Sequence, residues 1–197
     1  SGRPELGFGC GIWEGRGVAE RVYCCVTKQV IAAGGVVKGI VAPGCAAYTR
    51  GQQDELRDIA IAHGAKGIVT FGLGEPGTDL GALTMETVRS QVARFFSVEL
   101  VREMAERLGA ESGDLLLLVA DRDLPACEAL GALRLEVATR LKLAPPDVFS
   151  YAFVVDFPLL FKDAQTGHYH PMHHPFTAPR PGDEDLLEND PAKVGAR

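Results

Sequence analysis

The sequence is poor in features that would cross-link it or hold it in a membrane. Its five cysteines are Cys10, Cys24, Cys25, Cys45 and Cys127, with one adjacent pair and no CxxC spacing. An odd count without that spacing argues against a disulfide framework and against a zinc ribbon. They read as buried thiols in a reducing compartment. No apolar run approaches the roughly 20 residues needed to cross a bilayer. Ser1-Gly2-Arg3-Pro4 offers neither an initiator Met nor an apolar signal core. Internal repeats and low-complexity tracts are missing as well. A positive excess is also absent: 20 Lys and Arg stand against 26 Asp and Glu, a net charge of -6. That argues against a free-standing nucleic-acid module, but not against a piece of a larger protein whose RNA contacts lie elsewhere.

What is present is an ordinary globular mixture, 46% hydrophobic and 23% charged over 197 residues. Such a chain can bury one sizeable core, or one core plus pieces of another domain. The β-branched and aromatic content of Val22 to Thr27 predicts a strand, and Val36 to Val41 predicts another. Thr49 and Gln52 have capping-box spacing, and Leu56, Ile59, Ala60 and His63 then fall on one helical face, with Gly64 at its end. Gly67 to Phe71 reads as a returning strand. Gly72 to Gly77 is read as lacking both the Gly-Lys-Ser/Thr ending of a P-loop and the G-x-G-x-x-G spacing, and so as a plain surface loop. Val92 to Phe96 is left open between strand and helix.

Ser97 is an N-cap candidate for a helix with Val98, Val101, Met104, Ala105 and Leu108 on its buried stripe, closed by Gly109. The continuous apolar run Leu115 to Ala120, bounded by Asp114 and Asp121, suits a strand covered on both faces. A long helix follows from about Leu124 to Leu141, and Pro145-Pro146 breaks the chain. Tyr151 to Asp156 reads as a strand that Leu159 to Phe161 continues. Strands and helices alternate without a βαβ repeat, so the fold class is α+β.

Four of the five histidines lie between His168 and His174. His168 and His170 would share one face of a strand and, with His173 or His174, could offer zinc three nitrogens. A solvated loop with incidental histidines, or a loop that binds an anionic substrate through imidazole, also fits the spacing. Asp156 at a strand end suits capping or hydrogen bonding better than catalysis.

Longer stretches carry more information. Val154-Val155-Asp156-Phe157-Pro158-Leu159, then Met172-His173-His174-Pro175-Phe176-Thr177-Ala178-Pro179, resemble the corresponding segments of bacterial-type aspartyl-tRNA synthetases. Leu186 to Val194 and Leu130 to Leu135 are similar to that family too. Val37 to Ile40, Ala42 to Gly44 and Gly64 to Gly67 resemble its inserted GAD-type domain, which the B subunit of the tRNA-dependent amidotransferase shares. The resemblance implies three pieces: 1–20 from the catalytic domain before the insertion, 21–145 the inserted α+β domain, and 146–197 a truncated part of the class II antiparallel-sheet catalytic domain.

By the same resemblance, the parent protein joins aspartate to the 3′ end of tRNA using ATP and Mg2+, as a cytoplasmic homodimer, and has no membrane association. The anticodon-reading OB-fold and the ATP-clamping motifs fall outside the chain, so the chain alone is expected to be inactive and to bind no cofactor. His173 is the implied aspartate contact, with His174 the weaker candidate. No catalytic or metal-ligating residue is implied. The rival readings are a GAD-type module of the amidotransferase B subunit and a histidine-ligated metal hydrolase.

Overall fold

The structure is a computed structural model describing residues 13–14, 25–144, 147, 149, 151, 157–163, 165–172, 174 and 176–197, with 13–14 and 25–28 through the backbone alone. Two compact units divide between residues 150 and 151. Among the described residues no helix is long and apolar enough to cross a membrane.

Unit 1 is built on a five-stranded antiparallel sheet. Its strands are β1 (Trp13–Glu14), β2 (Val36–Ala42), β3 (Val69–Leu73), β4 (Val88–Arg89) and β5 (Leu115–Asp121), in the order β1-β2-β5-β3-β4. The apolar run thus becomes the central strand, pairing on one side with β2 from Val36↔Asp121 to Ala42↔Leu115 and on the other with β3. Because side chains alternate along a strand, β5 feeds two cores. Leu115, Leu117 and Val119 pack with Val36, Ile40 and Ala42 against α2 (Arg50–Ala62) and α4 (Asp123–Arg140). Leu116 and Leu118 pack with Val41, Phe71 and Leu73 against α3 (Val98–Leu108). Helices on both faces explain why an antiparallel strand carries an unbroken apolar run instead of alternating with polar residues.

Local signals place the helix ends. The Thr49 side chain accepts from Gln52 N at 3.4 Å while Gln52 Oε1 accepts from Thr49 N at 2.9 Å, the reciprocal capping box at the start of α2. Ser97 caps α3, which ends at Gly109 in the left-handed region, φ +67°. Of the stripe expected on α2, Leu56 and Ala60 are buried, Ile59 is half-buried, and His63 is exposed with Nδ1 2.9 Å from the Ile59 carbonyl oxygen. In α4, Leu130, Leu133 and Val137 are fully buried and Leu141 packs at the core margin.

Three expectations need correction. Cys25 to Thr27 are not strand but the start of α1 (Cys25–Ala32); residues 22–24 lie outside the described residues. Strand propensity is a weak preference that context overrides; here the helix is followed by a turn at Gly34, φ +80°, and Gly35 N–H donates to Val30 O as the chain enters β2. The segment 92–96, which its periodicity leaves open, contains a single 3-10 turn, Ala93–Phe95. The loop expected from Gly72 begins only at Gly74, since Gly72 and Leu73 belong to β3 and Leu73 is fully buried. Gly72, Gly74 and Gly77 do have the G-x-G-x-x-G spacing. They lead into a three-residue 3-10 turn and an antiparallel return strand, so the helix N-terminus that gives that spacing its phosphate chemistry is missing. Gly72 serves packing: a Cβ there would sit 2.7 Å from the Ala46 carbonyl oxygen.

Candidate functional site

Four of the five histidines belong to unit 2. Its hairpin pairs β6 (Leu160–Lys162) with β7 (Tyr169–Pro171). The connecting turn is organised by Asp163, whose Oδ1 accepts from Gln165 N at 2.7 Å and Thr166 N at 3.3 Å, with Gly167 at φ +72°. Those backbone N–H groups, Gln165 first, and the nearby His170 hold the Asp163 carboxyl below the usual aspartate value.

Behind the hairpin, Leu159 N donates to Val194 O at 2.8 Å and Met172 N to Leu159 O at 2.9 Å. Among the described residues of this unit, Leu159 and Val194 are the buried apolar pair. The return segment is closed by α5 (Leu186–Asn189), by the bridges Pro158↔Gly195 and Pro179↔Ala196, and by Asp183. The buried Asp183 carboxylate accepts from Gly195 N at 2.9 Å and lies 3.0 Å from Arg180 Nη2. The loop carrying the histidine motif is therefore anchored at both ends, by β7 and by the Pro179 bridge.

Within that loop His174 is exposed. Its Nδ1 accepts from Phe176 N at 3.3 Å, Thr177 N donates to its carbonyl at 3.0 Å, and its ring lies 5.0 Å from that of the exposed Phe176. A neutral imidazole accepting through Nδ1 carries its proton on Nε2, so His174 presents a donor to solvent. His173, the first-choice substrate contact, and Asp156 lie outside the described residues. His170 is on β7, its ring 5.6 Å from Phe161 across the hairpin, and His168 immediately precedes that strand. Among the described residues no three or more His, Cys, Asp or Glu side chains are grouped to hold a metal. Reading the histidines alone overlooked the aromatic rings beside them. The Phe161–His170 pair could have been found by aligning the two arms of the hairpin.

The fold defines a class: an α+β protein whose antiparallel sheet is covered by helices on both faces, followed by a small β unit bearing an exposed histidine loop. Residues 27–130 match the GAD domain, and the chain belongs to that family. It is also similar, along nearly its whole length, to longer proteins. It is 40% identical over 195 residues to "Aspartate--tRNA(Asp/Asn) ligase" of Dehalococcoides mccartyi, covering 99% of this chain and 33% of that one. With the protein of the same name from Moorella thermoacetica the identity is 41% over 199 residues, covering 100% and 31%. With "Aspartate--tRNA ligase" of Clostridium botulinum it is 36% over 197 residues, covering 100% and 32%. The chain thus spans about a third of the length of these relatives.

Proposed function

We propose that the chain is part of an aspartate–tRNA ligase, an enzyme that activates aspartate with ATP and transfers it to the 3′ end of tRNA. The observation that carries this reading is the unbroken similarity to ligases so named across 99–100% of the chain, well past residue 130 where the GAD match ends. That continuation disfavours an amidotransferase subunit, which the resemblance connects through the GAD-type module alone. Residues 21–145 are then the inserted domain, and 1–20 and 146–197 are pieces of the class II catalytic domain. The parent is a cytoplasmic homodimer.

In this reading His173 contacts aspartate and His174 takes the lesser part. An imidazole N–H beside a carboxylate donates a hydrogen bond that strengthens if the ring is protonated. The exposed His174 supports this reading, since the Phe176 N–H donates to its Nδ1 and leaves Nε2 to carry the proton of a neutral ring. Mg2+ would accompany ATP in the parent. No step here runs through the metal, and in this reading ATP and Mg2+ are held by other segments of the parent. Catalysis in the parent rests on positioning and charge stabilisation, which a fragment without those segments loses.

The test is aspartate-dependent ATP–pyrophosphate exchange. The 197-residue chain alone should give none above a buffer blank, while the full-length parent should be active. In the parent, His173→Ala should weaken apparent aspartate affinity or lower the activation rate by about ten- to hundredfold, the value of one partly charge-assisted hydrogen bond. ATP affinity should move much less, and His174→Ala should act less on aspartate. Aspartate parameters within twofold of the parent in His173→Ala would remove the assignment. Exchange by the isolated chain would remove the fragment reading.

A further inference from the structure

A second cluster of chemistry-bearing side chains lies in unit 1, and the histidine motif has no part in it. Lys38 is the one charged residue of β2, and its side chain is only 11% exposed beneath the first turns of α4. Its Nζ lies 2.6 Å from Asp123 Oδ1 and 3.1 Å from Cys127 Sγ. Asp123 is exposed and Cys127 is half-buried, so the sulfur sits at the margin of the core rather than inside it. Cys45 makes the contrast: it is 1% exposed, its thiol donates to the Pro43 carbonyl, and burial pushes its pKa up.

Burial works against the charge on Lys38, but hydrogen bonds to Asp123 and Cys127 outweigh it, and the lysine pKa lies above its usual value. The pair is therefore an ammonium donating to a sulfur. A thiolate is the nucleophilic form of cysteine, and a neighbouring ammonium stabilises it. Asp123 holds the amine in place against the helix.

We propose that Cys127 and Lys38 form a peroxide-responsive site, in which the oxidised sulfur is captured by the lysine amine as a covalent link between β2 and α4. In the first step the Cys127 thiolate attacks one oxygen of hydrogen peroxide. The O–O bond breaks, the sulfur becomes a sulfenic acid, and the departing hydroxide takes a proton from the Lys38 ammonium and leaves as water. In the second step the neutral Lys38 amine attacks that sulfur. The S–O bond breaks, an S–N bond forms, and hydroxide leaves with the amine proton as a second water. The sulfur is oxidised by two electrons, peroxide is reduced by two, and the product has two hydrogens fewer than the reduced protein. A thiol reductant cleaves the S–N bond and restores both side chains.

The experiment treats the 197-residue chain with near-stoichiometric hydrogen peroxide, with and without a dimedone-type trap, followed by proteolysis and mass mapping. Cys127 should be trapped at least about tenfold faster in the folded chain than in the urea-unfolded one. Without the trap, a Lys38–Cys127 peptide pair should appear two hydrogens lighter than its reduced parts. It should disappear with dithiothreitol, and the linked protein should melt at a higher temperature. Lys38→Arg keeps a cation beside the sulfur but no nucleophilic amine, so trapping should persist and the link should be lost. Lys38→Gln should lose both; if it does not fold, Lys38→Arg and the folded-to-unfolded rate ratio decide. Trapping no faster than in the unfolded chain, trapping without a link, or a link to another lysine each overturns the proposal.

Discussion

Replacing Asp183 with alanine should release the segment that closes the candidate site. Its carboxylate accepts a 2.9 Å hydrogen bond from the buried Gly195 N–H, twelve residues away, and pairs with Arg180 at 3.0 Å. A hydrogen bond to a charged acceptor contributes about 1.5–3 kcal/mol, and its loss strands a buried N–H. Arg180 is nearly half exposed, so that ion pair adds only about 0–1 kcal/mol. The sum is about 2–4 kcal/mol. At roughly 0.05–0.15 kcal/mol per residue, a unit the length of 151–197 holds about 2–7 kcal/mol, so the change removes much of what keeps it closed.

Amide hydrogen exchange reads this directly. The Leu159, Met172, Gly195 and Ala196 amides are all bonded within the unit, to Val194 O, Leu159 O, Asp183 Oδ2 and Phe157 O. In Asp183→Ala they should exchange about thirty- to several-hundredfold faster, at about 1.4 kcal/mol per decade. Asp183→Asn keeps an acceptor and should fall between the two. Asp190→Ala removes only the exposed pair with Lys193 and should stay within about fivefold. Amides in β2 and β5 of unit 1 should not change. Less than a threefold change at Gly195 in Asp183→Ala would refute the reasoning.

Phe71 is fully buried and meets Phe96 edge-to-face at 4.8 Å and 72°, so Phe71→Ala should cost about 3–5 kcal/mol by urea unfolding. A double-mutant cycle with Phe96→Ala should return about 0.5–1.5 kcal/mol of coupling, and a coupling of zero would deny the ring contact an energetic role. The depressed pKa of Asp163 implies a pH-dependent hairpin turn. Its contribution is complete at pH values above the ordinary aspartate range, about 3.9, and declines as pH falls through the lower folded value. The Gln165 and Thr166 amide resonances should titrate below that ordinary value and lose the transition in Asp163→Asn; titration at or above it would contradict the turn geometry.

Some of this protein can be read without a fold because the information is local. The capping box at Thr49 and Gln52, the Ser97-to-Gly109 helix and the two-sided burial of Leu115 to Val119 are each written within one short segment. The family likeness is equally local, since it rests on contiguous stretches such as Met172 to Pro179. For the site, spacing alone left the histidines divided between metal, substrate and solvent, and the motif resemblance singled out His173. Tertiary structure decided what depends on residues distant in sequence. Cys25 to Ala32 is helix against the strand preference of its first residues, and Gly35 N–H donates to Val30 O where the chain leaves it for β2. β5 became central because β2 and β3 both pair with it, a choice no single strand encodes. Lys38 and Cys127 are 89 residues apart in sequence; only the packing of α4 on the sheet brings amine and sulfur together, because a hydrogen bond depends on separation in space and a sequence records only separation along the chain.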